Sequence, residues 1–273
     1  MKRSVFFLSD RTGITAETLG HSLLTQFEDI EFRQSIVPFL DTVEKAHHTV
    51  ARINRAAQED GLKPLIFSTL LDDEIRAIIA TSEGMVHDFF ETFIDPLEKE
   101  LGMHSAHAIG RSHGMGVYSD YKERIDAVNF ALGNDDGSTM KDYPQADVIL
   151  IGVSRTGKTP TCLYLALQYG IHAANYPIIE EDLESAHLPK ILHEHKDKLF
   201  GLTIAPERLQ QIRSERRPDS RYASLQQCRY EVRAVEAMYR AMNIPFLDTS
   251  AVSIEEIATT IIMHAGLERR LYG

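Results

Sequence analysis

The chain has 273 residues, of which 43% are apolar, and its formal net charge is −11. This length suffices for two domains of ordinary size, and the apolar fraction excludes global disorder. The acidic balance argues against nucleic acid or an anionic membrane as the main partner, although it leaves room for a local basic pocket. The two cysteines, Cys162 and Cys228, form no CxxC pair and belong to no zinc-type cluster, so they indicate no structural metal.

The N-terminal run MKRSVFFLSD is too short to predict a signal peptide, because Asp10 interrupts its apolar part. No apolar run in the sequence reaches the roughly 20 residues that a membrane-spanning helix needs. The expectation is therefore a soluble, cytoplasmic protein.

Short apolar runs alternate with helical patterns through residues 1–103. The runs that predict strands are SVFFLS, EFRQSIVPFL, PLIFSTL and MVHDFF. Each is followed by a pattern of helical period, and Asp41 and Glu44 have the spacing of a capping box before the second helix. Such alternation predicts an N-terminal α/β domain with a mostly parallel sheet.

Residues 104–145 interrupt this alternation and are interpreted as a connecting segment. Their first part, HSAHAIGRSHGMGVYSD, is rich in Gly, Ser and His and has no periodicity, which is typical of a linker or a functional loop. The three histidines His104, His107 and His113 lack metal-ligand spacing. The run KERIDAVNFAL then predicts a helix that ends at the turn GNDDGS.

Residues 146–273 begin a second α/β unit, with no internal repeat evident along the chain. Its predicted strands are ADVILIGV, ANYPII, KLFGLTIA and IPFLDTS, with helices between them. Ser253 and Glu256 have capping-box spacing at the start of the last helix. The predicted fold is thus α/β in two domains, the second being a P-loop, kinase-like nucleotide-binding domain.

The stretch GVSRTGKT, residues 152–159, satisfies the complete phosphate-loop pattern G-x-x-x-x-G-K-[ST]. Gly152 and Gly157 let backbone N–H groups approach phosphate oxygens, and the following helix adds the positive end of its dipole. Lys158 supplies a mobile positive charge, and Thr159 offers a hydroxyl to Mg²⁺. Pro160 falls in the first helical turn, where its missing N–H costs no hydrogen bond. The alternative is an ordinary glycine turn between a strand and a helix.

A local excess of arginine follows in residues 206–224, and Arg213, Arg216 and Arg217 are candidate phosphate clamps. The break at Pro218 suggests a mobile lid over the site. The alternative is a solvated helix face whose charges pair locally.

Phosphoryl transfer also requires a carboxylate that binds magnesium or accepts a proton. Asp248 ends a predicted strand, Asp135 and Asp136 lie in the turn NDDG, and Asp10 ends the first strand. Each of them could instead cap a helix or make a turn. The junction SDRTGITAE, residues 9–17, could bind an anion at a helix N-terminus or serve as a simple cap.

Several of these stretches resemble one protein family. The bacterial phosphoenolpyruvate synthase regulatory proteins contain, in the same order, stretches similar to SDRTGITAE, YKERIDAVNFALGNDDG, ADVILIGVSRTGKTPTCLYLA, ANYPI, FGLTIAPERLQQIR and IPFLDTSAVSIEEIA. These proteins are relatives of the plant pyruvate, phosphate dikinase regulatory protein, whose branch more often has Ser where this chain has Gly157.

The resemblance implies two opposed activities and a homodimer. One is a serine/threonine protein kinase that moves the β-phosphate of ADP to a threonine of phosphoenolpyruvate synthase and releases AMP. The other is a pyrophosphorylase that removes this phosphate with inorganic phosphate and releases pyrophosphate. The family's nucleotide-binding segment corresponds to Gly152, Val153, Ser154, Arg155, Thr156, Gly157, Lys158 and Thr159. The resemblance identifies no catalytic base, so Asp136 and Asp248 remain candidates beside Lys158.

Three alternatives stay open at this point. The first is the same chemistry on pyruvate, phosphate dikinase, and the second is a P-loop kinase for a small metabolite. The third is a module that senses a nucleotide without transferring phosphate.

Overall fold

The structure, a computed structural model, describes residues 2–105, 118–185 and 188–268. Its contacts divide the chain into two compact units, Met1–Gly114 and Met115–Gly273. His107 and His113 lie outside the described residues. Within the described part, no helix is both long and apolar enough to span a membrane.

The N-terminal unit is an α/β structure with a four-stranded parallel sheet of order β2-β1-β3-β4. Its strands are β1 (Lys2–Leu8), β2 (Glu31–Val37), β3 (Leu65–Ser68) and β4 (Met85–Asp88). Its helices are α1 (Ile14–Leu24), α2 (Val43–Asp60), α3 (Asp73–Ala80) and α4 (Phe89–Leu101). The helix cap predicted at Asp41 is one residue further on, because the Thr42 hydroxyl accepts the Lys45 N–H and Asp41 instead pairs with the Lys45 ammonium.

The C-terminal unit contains a second parallel sheet, of order β6-β5-β7-β8. The strands are β5 (Val148–Gly152), β6 (Ala173–Pro177), β7 (Leu199–Thr203) and β8 (Phe246–Asp248). The helices are α5 (Tyr118–Gly133), α6 (Lys158–Tyr169), α7 (Glu180–Ser185), α8 (Lys190–His193), α9 (Pro206–Arg216), α10 (Leu225–Met242) and α11 (Ile254–Ala265). The short helices α7 and α8 are additions to the predicted pattern.

Two apolar layers enclose the second sheet. One layer joins alternate residues of β5, such as Ile149 and Ile151, to α10 residues that include Val235 and Tyr239. The other joins the opposite face of β5 to α5, α6 and α11. Helix α5 therefore packs on this sheet, with Ala127 and Ala131 in its core, although its sequence lies in the predicted connecting segment. Both faces of β5 are buried, which explains its uninterrupted apolar sequence.

The predicted fold class is confirmed, since both units are α/β with parallel sheets. No internal repeat was expected from the sequence, but the two units repeat one topology. In each sheet the first strand of the unit lies between the second and the third, and the fourth strand lies at the edge beside the third. The loops after the first strands also match, with RTGIT at residues 11–15 and RTGKT at residues 155–159. Gly13 and Gly157 both precede a helix in the left-handed conformation.

Candidate active site

The phosphate-loop sequence lies between β5 and α6, at the carboxyl end of the central pair of strands in its sheet. After β5 the chain forms β6 on one side of β5 and then β7 on the other side. The loop therefore lies at the topological switch point, which is where parallel α/β sheets bind ligands. Pro160 is the third residue of α6, in agreement with its predicted place in the first turn.

The two glycines of the loop are needed for different reasons. A Cβ added to Gly152 would lie 2.5 Å from the carbonyl oxygen of Leu202 and 2.9 Å from Oγ1 of Thr156, so no side chain fits there. Gly157 has φ 91°, which L side chains rarely adopt, but the space beside it is open. Gly152 therefore permits close packing, whereas Gly157 permits the turn into α6.

Lys158 is buried within its own loop. Its side chain is 5% exposed, and Nζ donates a hydrogen bond of 3.0 Å to the carbonyl oxygen of Val153. Burial lowers the pKa of Lys158 to about 8, against the opposing effect of the nearby Asp136 and Asp135 carboxylates. An anion bound beside Lys158 would favour the charged ammonium.

The turn NDDG meets the loop at Thr159. Oγ1 of Thr159 donates a hydrogen bond of 2.7 Å to Oδ1 of Asp135, and Nδ2 of Asn175 donates to the same oxygen at 2.6 Å. Asn175 is fully buried on β6, and its Oδ1 accepts the backbone N–H of Asp136 at 3.0 Å. One buried amide thus positions both carboxylate-bearing residues beside the loop.

Asp136 has an unusual backbone conformation, with φ 50° and ψ 33°. A non-glycine residue in this left-handed region is under steric strain, and such residues are concentrated at functional sites. Among the nearby charges, the carboxylate of Asp136 contributes most to favouring the protonated form of Lys158. Its carboxylate is therefore electrostatically coupled to the lysine of the loop.

The other two predicted carboxylates have different surroundings. Asp248, at the exposed end of β8, accepts the backbone N–H of Ser250 at 2.9 Å and the hydroxyl of the same residue. Its neighbour Thr249 contacts the loop instead, since the Thr249 hydroxyl donates to the carbonyl oxygen of Thr156 at 3.2 Å. Asp10 belongs to the N-terminal unit, where burial raises its pKa and one of its oxygens has no hydrogen-bond partner among the described residues.

The three candidate clamp arginines have two different environments. Arg216 and Arg217 are exposed and line a pocket of about 240 Å³ together with Tyr222. Arg213 is 1% exposed and pairs with Glu231 at 2.6 Å. The predicted break is present, because α9 ends at Arg216 and the chain then turns into a short 3₁₀ segment, Arg221–Ala223.

Four residues at the site escaped the sequence analysis: Asn175, Tyr222, Glu231 and Thr249. Asn175 gave the clearest signal, because an amide inside the buried strand ANYPI needs hydrogen-bond partners. Tyr222 contacts the loop through its hydroxyl, which lies 3.0 Å from Oγ of Ser154. Glu231 is one of two acidic residues in the long helix α10, and its contacts depend on which face of α10 packs against α9.

The oxygen groups of Thr159 and Asp135 fit a magnesium ion. Mg²⁺ prefers hard oxygen ligands and is usually held by one or two carboxylates together with the phosphates of a substrate. A hydroxyl and a carboxylate in mutual contact at the phosphate loop match that donor set. Among the described residues, no group of three or more His, Cys, Asp or Glu residues is placed to hold a metal ion.

Comparison with known proteins identifies the family of the chain. A family model described as kinase/pyrophosphorylase matches residues 5–262. The chain is 55% identical over 271 residues to a protein of Ectopseudomonas mendocina, covering 99% of this chain and 100% of that protein. It is 59% identical over 271 residues to a protein of Alkalilimnicola ehrlichii, covering 99% and 98%. Both relatives bear the name "putative phosphoenolpyruvate synthase regulatory protein".

A third relative, from Marinobacter nauticus, has the same name and is 56% identical over 269 residues, which cover 98% of this chain and 99% of that protein. The family match spans both α/β units and includes the phosphate loop with the Asp135–Asp136 turn. The chain therefore belongs to the kinase/pyrophosphorylase family.

Proposed function

We propose that the protein regulates phosphoenolpyruvate synthase by reversible phosphorylation of a threonine, with ADP as the phosphate donor and inorganic phosphate as the acceptor for removal. The observation that carries the proposal is the complete phosphate loop whose Thr159 hydroxyl is bonded to Asp135. The names of the relatives support phosphoenolpyruvate synthase as the target.

In the kinase direction, the loop holds the phosphates of ADP with residues Gly152–Thr159. The threonine oxygen of the target attacks the β-phosphorus, the bond from that phosphorus to the bridging oxygen breaks, and AMP leaves. The proton of the threonine hydroxyl passes to the carboxylate of Asp136, the proposed general base. Lys158 stabilises the charge on the transferring group, as do the exposed guanidinium groups of Arg216 and Arg217.

In the opposite direction, the same loop holds inorganic phosphate. An oxygen of this phosphate attacks the phosphorus of phosphothreonine, the bond from phosphorus to the threonine oxygen breaks, and pyrophosphate is released. The protonated Asp136 returns its proton to the leaving threonine oxygen. Both directions move a phosphoryl group between a threonine oxygen and a phosphate oxygen, so one set of residues serves both.

Thr159 and Asp135 would hold Mg²⁺, which supplies charge neutralisation at the phosphates when bound. Asp135 then orients the Thr159 hydroxyl, while Asn175 keeps Asp135 and Asp136 on the same side of the loop. In this assignment the two neighbouring aspartates have separate roles, one for the metal and one for the proton.

The proposal includes a homodimer in the cytoplasm, as the family resemblance implies. Several large apolar side chains are exposed in the N-terminal unit, among them Phe27, Phe93, Leu97 and Leu101. Phe93, Leu97 and Leu101 are spaced four residues apart and so share one face of α4, and exposed apolar surface of this kind often marks a protein interface. Sedimentation equilibrium of the full chain would give the mass of a dimer, and a monomer at micromolar concentration would contradict this part.

The test of the function uses the purified protein and purified phosphoenolpyruvate synthase. Addition of ADP and Mg²⁺ should inactivate the synthase, and later exchange of ADP for phosphate should restore its activity and release pyrophosphate. A parallel reaction with Lys158→Met should do neither, because the loop then lacks its cation. A synthase that stays fully active with ADP, while pyruvate, phosphate dikinase is inactivated, would redirect the proposal to the other target. Turnover of nucleotide with no effect on either enzyme would overturn it.

A further inference from the structure

Arg213 makes contacts that differ from those of a phosphate clamp. Its guanidinium group is buried, and Nη2 donates to Oε2 of Glu231 at 2.6 Å and to the carbonyl oxygen of Ser154 at 3.1 Å. Nη1 donates to the carbonyl oxygen of Tyr222 at 3.1 Å. Both Nη atoms of the guanidinium group therefore donate hydrogen bonds to acceptors within the protein.

The aromatic ring of Tyr222 completes this arrangement. The central carbon of the Arg213 guanidinium lies 4.1 Å from the centroid of the ring, within the range of a cation–π contact. The hydroxyl of the same tyrosine lies 3.0 Å from Oγ of Ser154. Ser154 is thus held twice, through its carbonyl by Arg213 and through its side chain by Tyr222.

Burial of an ion pair is not explained by stability alone. The cost of removing two charges from water cancels much of their attraction, so buried pairs are weak contributors to folding, and in some proteins they instead fix a specific geometry. The Arg213–Glu231 pair links α9 to α10, and Glu231 is itself fixed by Nε2 of Gln227, which donates to Oε1 at 3.0 Å. A rigid pair between two helices is suited to hold a third group in place.

That third group is the peptide unit between Ser154 and Arg155. In a trans peptide the C=O and N–H bonds point in opposite directions, so a carbonyl bonded to Arg213 aims the Arg155 N–H away from Arg213. Arg155 has φ 81°, a strained left-handed value that a non-glycine residue keeps only when its surroundings enforce it. Within the described residues, the backbone N–H of Arg155 makes no hydrogen bond. Such outward N–H groups are what a phosphate loop offers to an anion.

We infer that Arg213, held by Glu231, is a positioning residue that orients the Ser154–Arg155 peptide for phosphate binding. This inference rests on the proposed function, because it concerns the phosphate loop of the same site. It reassigns Arg213 from the clamp predicted by the sequence to a support of the loop. The role of clamp is then left to the exposed Arg216 and Arg217.

The test replaces both members of the pair, so that no unpaired charge is left buried. In Arg213→Met/Glu231→Leu, the dissociation constants of ADP and of inorganic phosphate should rise about tenfold or more, as expected for loss of a charge-assisted hydrogen bond. The KM for ADP should rise in parallel, while kcat at saturating ADP stays within about threefold, because Lys158 and Asp136 remain. Calorimetry measures binding without the protein target.

A matched control removes the exposed pair Glu207–Arg229, which links the same two helices at 2.9 Å. Glu207→Leu/Arg229→Met should leave binding and KM unchanged. Should the buried double variant fail to fold, Arg213→Lys keeps the charge beside Glu231 but lacks the fork that contacts three acceptors, and it should also raise KM with kcat retained.

Two results would overturn the inference. One is a fall in kcat with unchanged dissociation constants, since that marks a group acting in the transition state. The other is unchanged binding and kinetics in a folded double variant or in Arg213→Lys. If the wild-type protein binds ADP but transfers no phosphate to any protein, the proposed function fails while the comparison of dissociation constants still decides the role of Arg213.

Discussion

The Thr159 hydroxyl donates a hydrogen bond of 2.7 Å to the carboxylate of Asp135, which lies 24 residues earlier in the chain. This bond connects the phosphate loop to the NDDG turn, two features that the sequence places in separate predicted elements. It puts a hydroxyl and a carboxylate together, the donor set that the proposed function assigns to a magnesium ion. The separate roles proposed for Asp135 and Asp136 follow from it.

Substitution of Asp135 should change the metal dependence of the reaction. In Asp135→Asn, the magnesium concentration for half-maximal kinase rate should rise about tenfold or more, because one charged oxygen ligand is lost. In Asp136→Asn, the magnesium requirement should stay the same while kcat falls at least 100-fold, as expected for loss of a general base. Magnesium titrations of the kinase rate measure both. Equal behaviour of the two variants would contradict the division of roles.

Binding of ADP should weaken as the pH rises through about 8. Burial lowers the pKa of Lys158 to about 8 in the empty loop, and only the protonated ammonium attracts phosphate. Calorimetry between pH 7 and pH 9.5 should show an affinity that declines above pH 8, with proton uptake on binding near pH 8.5. Lys158→Met should bind weakly and show no such decline. A wild-type affinity that is constant over this range would contradict the predicted coupling.

The same lysine should affect stability with the opposite sign. Its folded pKa lies below the ordinary value of 10.5, so between about pH 8 and pH 10.5 the unfolded chain holds a proton that the folded chain has released. Lys158 therefore contributes stability that increases with pH across this window. In urea unfolding without ligand, the unfolding free energy of wild type minus that of Lys158→Met should increase from about pH 8 to pH 10.5. A constant difference would count against the buried position of the amine.

Asn175 should prove necessary for both stability and transfer. Asn175→Ala removes the amide that bonds the Asp135 side chain and the Asp136 backbone, and it leaves buried groups without partners. The free energy of unfolding should fall by about 1–3 kcal/mol, and the kinase rate should fall with it. Asn54→Ala is a matched control, since that half-buried amide accepts a single backbone N–H from Glu83 in the N-terminal unit. Wild-type kinase activity in folded Asn175→Ala would show that the turn needs no such support.

Gly152 and Gly133 should respond differently to the same change. Gly152→Ala places a methyl group 2.5 Å from the Leu202 carbonyl oxygen, so unfolding free energy should fall by about 1–3 kcal/mol. Gly133→Ala, in the last turn of α5, meets nothing within 4 Å and should be neutral or slightly stabilising. Thermal or urea unfolding of the two variants tests this contrast. Equal stabilities would mean that the loop can move away from β7.

The sequence was sufficient for all eight strands and for the placing of the glycine-rich pattern between β5 and α6. Both sets depend on local signals, namely apolar runs of strand length and a glycine pattern with its lysine. The short helices α7 and α8 were missed because each is too brief to show a period. The repeated topology was missed because the two matching loops share only four of five residues in otherwise different surroundings.

The environment of Arg213 could not be predicted for a different reason. A run of arginines on one helix does not indicate which of them faces a neighbouring helix, and burial of Arg213 depends on the packing of α9 against α10. The contact between Asp135 and Thr159 likewise depends on Asn175, which reaches the turn from another strand. Such long-range contacts are set by the tertiary structure and leave little trace in the local pattern.

The central claim is transfer of the β-phosphate of ADP to a threonine of phosphoenolpyruvate synthase. The most direct measurement uses ADP labelled in the β-phosphate, purified synthase and the wild-type protein, with Lys158→Met as the control. The account predicts label on a threonine of the synthase and one AMP formed for each phosphate incorporated, with neither in the control. Absence of label from the synthase, in a reaction where the protein demonstrably binds ADP, would contradict the account.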